Sequence, residues 1–174
     1  MVARYGNAMS WSGVAVFRPD RRFLEFDAGK VGMILKCQQE QVEKTCSAGN
    51  VLLLFDDVLG EASLKLYGGL FTKLASTCRH YRITIFITTQ YIYKVPPVLR
   101  ENAKLVFICS ASRPDEISTM YKEFGIGLTK DAFSQRIVND TNGFGVLAIN
   151  MEAKDTRSAY VRVTAPAKDR EFQI

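Results

Sequence analysis

Histidine is almost absent from this 174-residue chain, with His80 the only one. A metal site built on imidazole is thereby excluded. The four cysteines do not replace it, because Cys37, Cys46, Cys78 and Cys109 are scattered with no CxxC pair among them. The same spacing offers no disulfide framework, so they read as small buried thiols in a reducing compartment. Long apolar runs are lacking as well. Runs such as Val51-Leu52-Leu53-Leu54-Phe55 fall far short of the roughly 20 residues that span a bilayer, and no signal-peptide core stands at the N-terminus. The chain is expected to be soluble and intracellular, with no membrane partner. Internal repeats, low-complexity tracts and Gly/Ser/Pro-rich linkers are also missing, so a single domain over residues 1–174 is expected.

Hydrophobic residues at 47% and charged residues at 24% are ordinary for a globular chain and exclude general disorder. A net charge of +5 suits a polyanionic partner, but modestly. The basic residues gather as Arg18, Arg21 and Arg22, then Arg79, His80 and Arg82, then Arg157, Arg162, Lys168 and Arg170. Each group is equally what a solvated surface looks like, and no nucleic-acid contact residue is assigned from it.

Strand-like runs occur at 14–17, 51–55, 83–88, 105–109, 146–149 and 160–163, rich in β-branched and apolar residues. Most are continuously apolar, as strands of a parallel sheet covered on both faces are. Helical spacing fills the gaps. Val31, Ile34, Leu35, Val42 and Cys46 share one face of a helix over about 29–47; Leu64, Tyr67, Phe71, Leu74 and Cys78 share a face of a second. A third opens at Ser112-Arg113-Pro114-Asp115, with Ser112 as the capping residue, and a fourth runs from about 130 to 139. Strands alternating with helices predict a three-layer α/β domain with a mostly parallel sheet. The runs at 146–149 and 160–163 predict a C-terminal antiparallel hairpin attached to it.

The strongest local signal is Val51-Leu52-Leu53-Leu54-Phe55-Asp56-Asp57, an apolar strand ending in two acids. A buried strand delivers a carboxylate rigidly to the C-terminal edge of a sheet, where open α/β sheets bind ligands. Nucleotide hydrolysis needs one carboxylate to hold Mg²⁺ and a neighbour to orient or deprotonate the attacking water. Asp56 fits the first task and Asp57 the second. One strand-helix unit later, Ile83-Thr84-Ile85-Phe86-Ile87-Thr88-Thr89-Gln90 is another apolar strand, ending in hydroxyls and an amide. If the two strands are parallel neighbours, Gln90 reaches a γ-phosphate or the lytic water. Alone, either feature is also an ordinary strand followed by a polar turn.

These two motifs, with Cys78-Arg79-His80-Tyr81-Arg82 before the second strand and Val95-Pro96-Pro97-Val98-Leu99-Arg100-Glu101-Asn102-Ala103 after it, resemble the genome-packaging ATPases of poxviruses, other large eukaryotic DNA viruses and virophages, within the FtsK/HerA superfamily of P-loop NTPases. The likeness covers about residues 14–149. It implies a RecA/ASCE-like fold in which the paired acids are Walker B and Gln90 is the sensor, with ATP and Mg²⁺ bound and Asp56 and Gln90 contacting the nucleotide complex. Arg79 and Arg100 match family arginine positions, and Arg100 is favoured as an arginine finger. It further implies translocation of double-stranded DNA by a homo-oligomeric ring, hexameric or pentameric. The capsid or portal-vertex proteins would be its partners, in the host cytoplasm at the viral factory or in the virion.

The chain departs from that pattern where phosphates are cradled. No G-x-x-x-x-G-K-[ST] loop exists; Gly29-Lys30 is followed by Val31 and has Leu24 where the first glycine belongs, so it reads as a helix N-terminus. The expectation is a partial domain whose P-loop strand is missing and whose loop would lie upstream of Met1, with residues 1–12 the tail of the P-loop helix and a connection. Such a piece should be poorly soluble or dependent on another chain. Two alternatives stay open: a catalytically inactive DNA-binding or ring-assembly module with the motor fold, and a different P-loop protein such as a helicase or plasmid-transfer coupling protein.

Overall fold

The computed structural model describes the backbone of residues 2–5, 27–44, 49–57 and 61–164, and the side chains of 27–44, 49–57 and 68–164. The expected strand at 14–17, Cys46 and the basic residues Arg18, Arg21, Arg22, Lys168 and Arg170 lie outside these, as do the side chains of Leu64 and Tyr67. Two compact units divide the chain, residues 1–99 and 100–174.

In the first unit, β1 (Val2–Tyr5) and β3 (Ile83–Thr88) flank β2 (Asn50–Asp56). β2 and β3 are parallel, with Val51 opposite Ile83 and Asp56 opposite Thr88, whereas β1 runs antiparallel to β2. The strand at 2–5 replaces the expected helix tail. Helix α1 (Ala28–Lys44) precedes β2, and α2 (Glu61–Thr77) connects β2 to β3. The β2–α2–β3 crossover is what a parallel pair requires, since a two-residue hairpin cannot reverse the chain twice.

Burial alternates along β2: Val51, Leu53 and Phe55 form one core with Val31 and Leu35 of α1, Phe71 and Leu74 of α2, and Ile83. The opposite face holds Leu52 and Leu54, partly buried, beside exposed Thr84 and Phe86. Continuous apolarity therefore overstated the cover of this sheet among the described residues. At its start, α1 is capped by Asp27, whose Oδ1 accepts from the Lys30 backbone N–H at 3.0 Å. That bond holds the Asp27 carboxyl below its usual pKa, and Gly29-Lys30 is indeed a helix start. Gln38, 2% exposed, donates through Nε2 to the Gly49 carbonyl at 2.7 Å and ties α1 to the entry of β2.

The second unit is built on β4 (Leu105–Ile108), β5 (Gly145–Asn150) and β6 (Tyr160–Thr164), all antiparallel in the order β4-β5-β6. The expected C-terminal hairpin is present as β5 and β6. The mostly parallel sheet is not: among the described residues the strands form two three-stranded sheets with a single parallel pairing. β4 pairs with the hairpin because Leu105 lies opposite Asn150 and Ile108 opposite Leu147. Helices α4 (Pro114–Phe124) and α5 (Lys130–Thr141) contribute Ile117, Phe124, Phe133 and Ile137 to the core with Leu147 and Ile149. The other sheet face leaves Leu105, Phe107, Val161 and Val163 exposed. Ser112 is not the cap of α4. Pro114 takes the first helical position and Arg113 the cap position, with no side-chain hydrogen bond there. Thr129 caps α5 instead, accepting from the Ala132 backbone N–H at 3.3 Å. A short helix, α6 (Thr156–Ala159), bridges β5 and β6, capped by Asp155; the Ser158 and Arg157 N–H groups hold that carboxyl below its usual pKa.

The thiols are less buried than expected: Cys78 is half-buried, and Cys37 and Cys109 are exposed. No described helix is long and apolar enough to cross a membrane.

Candidate functional site

The parallel register brings the ends of β2 and β3 to the same edge. Asp56 and Thr88 are opposite one another, about 5 Å apart between strands. Thr88 Oγ1 donates to Asp56 Oδ1, and the Asp57 backbone N–H donates to the Thr88 carbonyl at 3.1 Å. Asp57 sits in the left-handed region at φ 46°, a conformation uncommon for a residue with a Cβ. Both carboxylates are exposed, and Lys94 Nζ stands 3.8 Å from Asp57 Oδ1. Gln90, also exposed, follows Thr88 by two residues on the same edge.

Arg79 is elsewhere. α2 ends at Thr77, so Arg79 and His80 lie in the turn beyond it rather than finishing the helix. In that turn the Ile83 N–H donates to the Cys78 carbonyl at 2.8 Å and the Val51 N–H to the Arg82 carbonyl at 3.0 Å, which starts β3 beside β2. Six strand residues, about 20 Å, separate this end of the pair from the edge holding Asp56. Arg79 therefore does not reach the acids of its own chain.

Arg100 begins the second unit, in the last turn of α3 (Pro97–Glu101). Its guanidinium donates to Glu123 Oε1 of α4 at 3.1 Å.

Among the described residues no group of three or more His, Cys, Asp and Glu forms a protein-only metal cage. What the edge offers is hard oxygen: the Asp56 carboxylate with the Thr88 hydroxyl beside it. That donor set fits Mg²⁺, which keeps most of its waters, takes one or two carboxylates from protein and draws other ligands from phosphate. Sequence reasoning missed Thr88 and Lys94. The β-strand register alone reveals the first, and no spacing rule reveals the second.

No protein-family model and no curated protein matches the chain. In fold, however, it is similar to a nucleoside triphosphatase. The solved structure is the genome packaging NTPase B204 from Sulfolobus turreted icosahedral virus 2 in complex with ATP-gammaS, with a TM-score of 0.50 and 14% identity, over 79% of this chain and 63% of that one. The same NTPase in complex with AMPPCP gives a TM-score of 0.46 and 16% identity. The chain thus spans less than two thirds of the NTPase's length, and at this identity the likeness is one of fold.

Proposed function

We propose that the chain forms the acidic and sensing part of a viral DNA-packaging ATPase of the FtsK/HerA group, its two units being parts of one three-layer P-loop domain. The observation that carries this reading is the parallel pair β2–β3, which sets Asp56, Asp57, Thr88 and Gln90 on one sheet edge. Fold similarity to a genome packaging NTPase supports it. In this reading Asp56 and Thr88 hold Mg²⁺, which when bound neutralises phosphate charge. Asp57 accepts a proton from the attacking water, and the Gln90 amide orients that water. The phosphate-cradling loop is not among these 174 residues and has to be supplied to the site for turnover.

The motor reading extends to a homo-oligomeric ring that moves double-stranded DNA into a capsid at its portal vertex, at the viral factory or in the virion. Arg100 or Arg79 would then act on the nucleotide of an adjacent subunit. The missing loop favours a second reading, a DNA-binding or ring-assembly module that hydrolyses nothing. Magnesium-dependent ATP hydrolysis by the chain together with a segment that supplies the phosphate-cradling loop, with and without duplex DNA, separates the two. The motor reading expects turnover that Asp57→Asn lowers by about 10²-fold or more. Equal rates in both proteins remove Asp57 from the mechanism, and DNA binding with no hydrolysis at any nucleotide concentration supports the module.

A further inference from the structure

Lys94 lies in the short turn Ile92–Lys94 that follows β3, and three contacts converge on it. Its ammonium is 3.8 Å from Asp57 Oδ1 and 5.1 Å from the centroid of the Tyr91 ring. Tyr91 is itself fixed. Its N–H donates to Thr89 Oγ1 at 3.2 Å, the same hydroxyl donates to the Tyr91 carbonyl at 3.0 Å, and its ring stacks on Tyr93 with centroids 5.4 Å apart. The turn closes with the Lys94 N–H donating to the Tyr91 carbonyl at 3.1 Å. Gln90 is enclosed in sequence by Thr89 and Tyr91, the two residues this network immobilises.

We propose that Lys94 is a positioning residue that holds the Asp57 carboxylate at the strand tip and fastens to it the loop bearing Gln90. The inference deepens the ATPase reading and rests on it for the roles of Asp57 and Gln90; the contact itself does not. An isolated surface ion pair contributes little, because a lysine stem is free to wander. Here the stem is restrained: the ammonium sits against an aromatic face, where cation–π attraction adds to the carboxylate's. The side chain is only 30% exposed. On the other side, Asp57 holds the left-handed backbone at φ 46° at the tip of β2. Two groups from different loops are thus registered through one cation, and the chemistry of a water-activating pair is sensitive to errors of about 1 Å in such placement.

Two measurements on the full chain test this. In the first, Lys94 is acetylated with an N-hydroxysuccinimide ester and followed by peptide mass spectrometry, with Lys36 and Lys73 as reference amines. Lys94 is expected to react about two- to fivefold faster in Asp57→Asn and in Tyr91→Ala than in the wild type, while Tyr91→Phe, which keeps the ring, matches the wild type. Asparagine tolerates the left-handed backbone, so Asp57→Asn keeps the turn. Wild-type labelling rates in Asp57→Asn overturn the proposal. In the second, with a segment that supplies the phosphate-cradling loop added, Lys94→Met is expected to lower kcat for ATP about tenfold with KM within about twofold, and Lys94→Arg to restore most of it. Unchanged kcat in Lys94→Met overturns the positioning role. A wild type that hydrolyses no ATP even with the phosphate-cradling loop supplied counts against the ATPase reading, and the labelling arm, which needs no turnover, then decides the Lys94–Asp57–Tyr91 contact independently.

Discussion

Thr88 and Asp56 are joined across β2 and β3 by a hydroxyl-to-carboxylate hydrogen bond between residues in direct register. The bond occupies one carboxylate oxygen and so fixes where the other points. A partner of this kind commonly changes metal affinity more than it changes stability. Thr88→Val, nearly the same shape, should cost no more than about 1 kcal/mol in chemical denaturation because the pair is exposed. The Mg²⁺ concentration for half-maximal binding of a fluorescent ATP analogue should rise about tenfold, and Thr88→Ser should restore it. A Mg²⁺ requirement identical in Thr88→Val and wild type removes Thr88 from the metal site.

Asp57 adopts φ 46°, a conformation that costs a residue with a Cβ about 1 kcal/mol or more. Glycine has no such penalty. Asp57→Gly should therefore raise stability by up to about 1 kcal/mol while abolishing any ATP turnover, and Asp57→Asn should be close to neutral in stability. Asp57→Val should lower it by about 1–2 kcal/mol. Urea denaturation of the four proteins gives the order. A glycine variant less stable than wild type means the left-handed turn is held by more than backbone preference.

How much of this was legible follows from where each constraint is local. β3 was read to the residue because Ile83 to Thr88 combine β-branching with a turn on each side. α2 followed from 3.6-residue spacing and α1 from a single apolar face, yet Gln38 was invisible, since a buried amide is defined by the Gly49 carbonyl eleven residues away. The direction of β4 was misread because Leu105 to Ile108 is equally apolar in a parallel or antiparallel sheet, and only pairing with β5 decides. At the site, the two acids and Gln90 stood out as strand ends. Thr88 and Lys94 did not, because their partners are supplied by register and by a turn, which no linear spacing encodes.

Tyr160 supplies a pH-dependent contribution to the second unit. It is 4% exposed, and its hydroxyl donates to the carbonyls of Phe124 at 3.2 Å and Ile126 at 3.0 Å, fastening β6 to the end of α4. Burial pushes its pKa above the usual 10.0, against smaller opposing pulls from the Ile126 backbone and then from Arg136. A raised folded-state pKa means the folded chain favours the neutral phenol. Its contribution is fully present below the unfolded value near 10 and lost as pH rises through the higher folded one. Tyr160→Phe should cost about 1–2 kcal/mol at neutral pH, removing the donor to the Ile126 carbonyl while the Phe124 carbonyl keeps the Ile126 N–H, and should flatten the alkaline fall in stability. Urea titrations at pH 7 and in the alkaline range measure both, and an equally steep alkaline loss in Tyr160→Phe assigns it to another group.

The two arginines separate by what each is able to touch. Arg100 meets Glu123 at 3.1 Å, the pair 12% and 25% exposed, so Arg100→Ala and Glu123→Gln should each destabilise by about 1–2 kcal/mol and less than additively together. If that is its whole role, ATP turnover per folded molecule is the same in both variants. If Arg100 also stabilises charge on an adjacent subunit's nucleotide, Arg100→Ala loses about 10³-fold in rate where Glu123→Gln does not. Arg79, exposed and one strand length from its own acids, should leave stability within about 0.5 kcal/mol when replaced by alanine. Any loss of turnover in Arg79→Ala must then arise between copies of the chain. Mixing Arg79→Ala with Asp57→Asn in that case restores part of the activity, because intact acids in one subunit face an intact arginine in the next. Two variants that remain inactive when mixed assign the loss to the chain that carries the substitution, and Arg79 is then not an arginine finger.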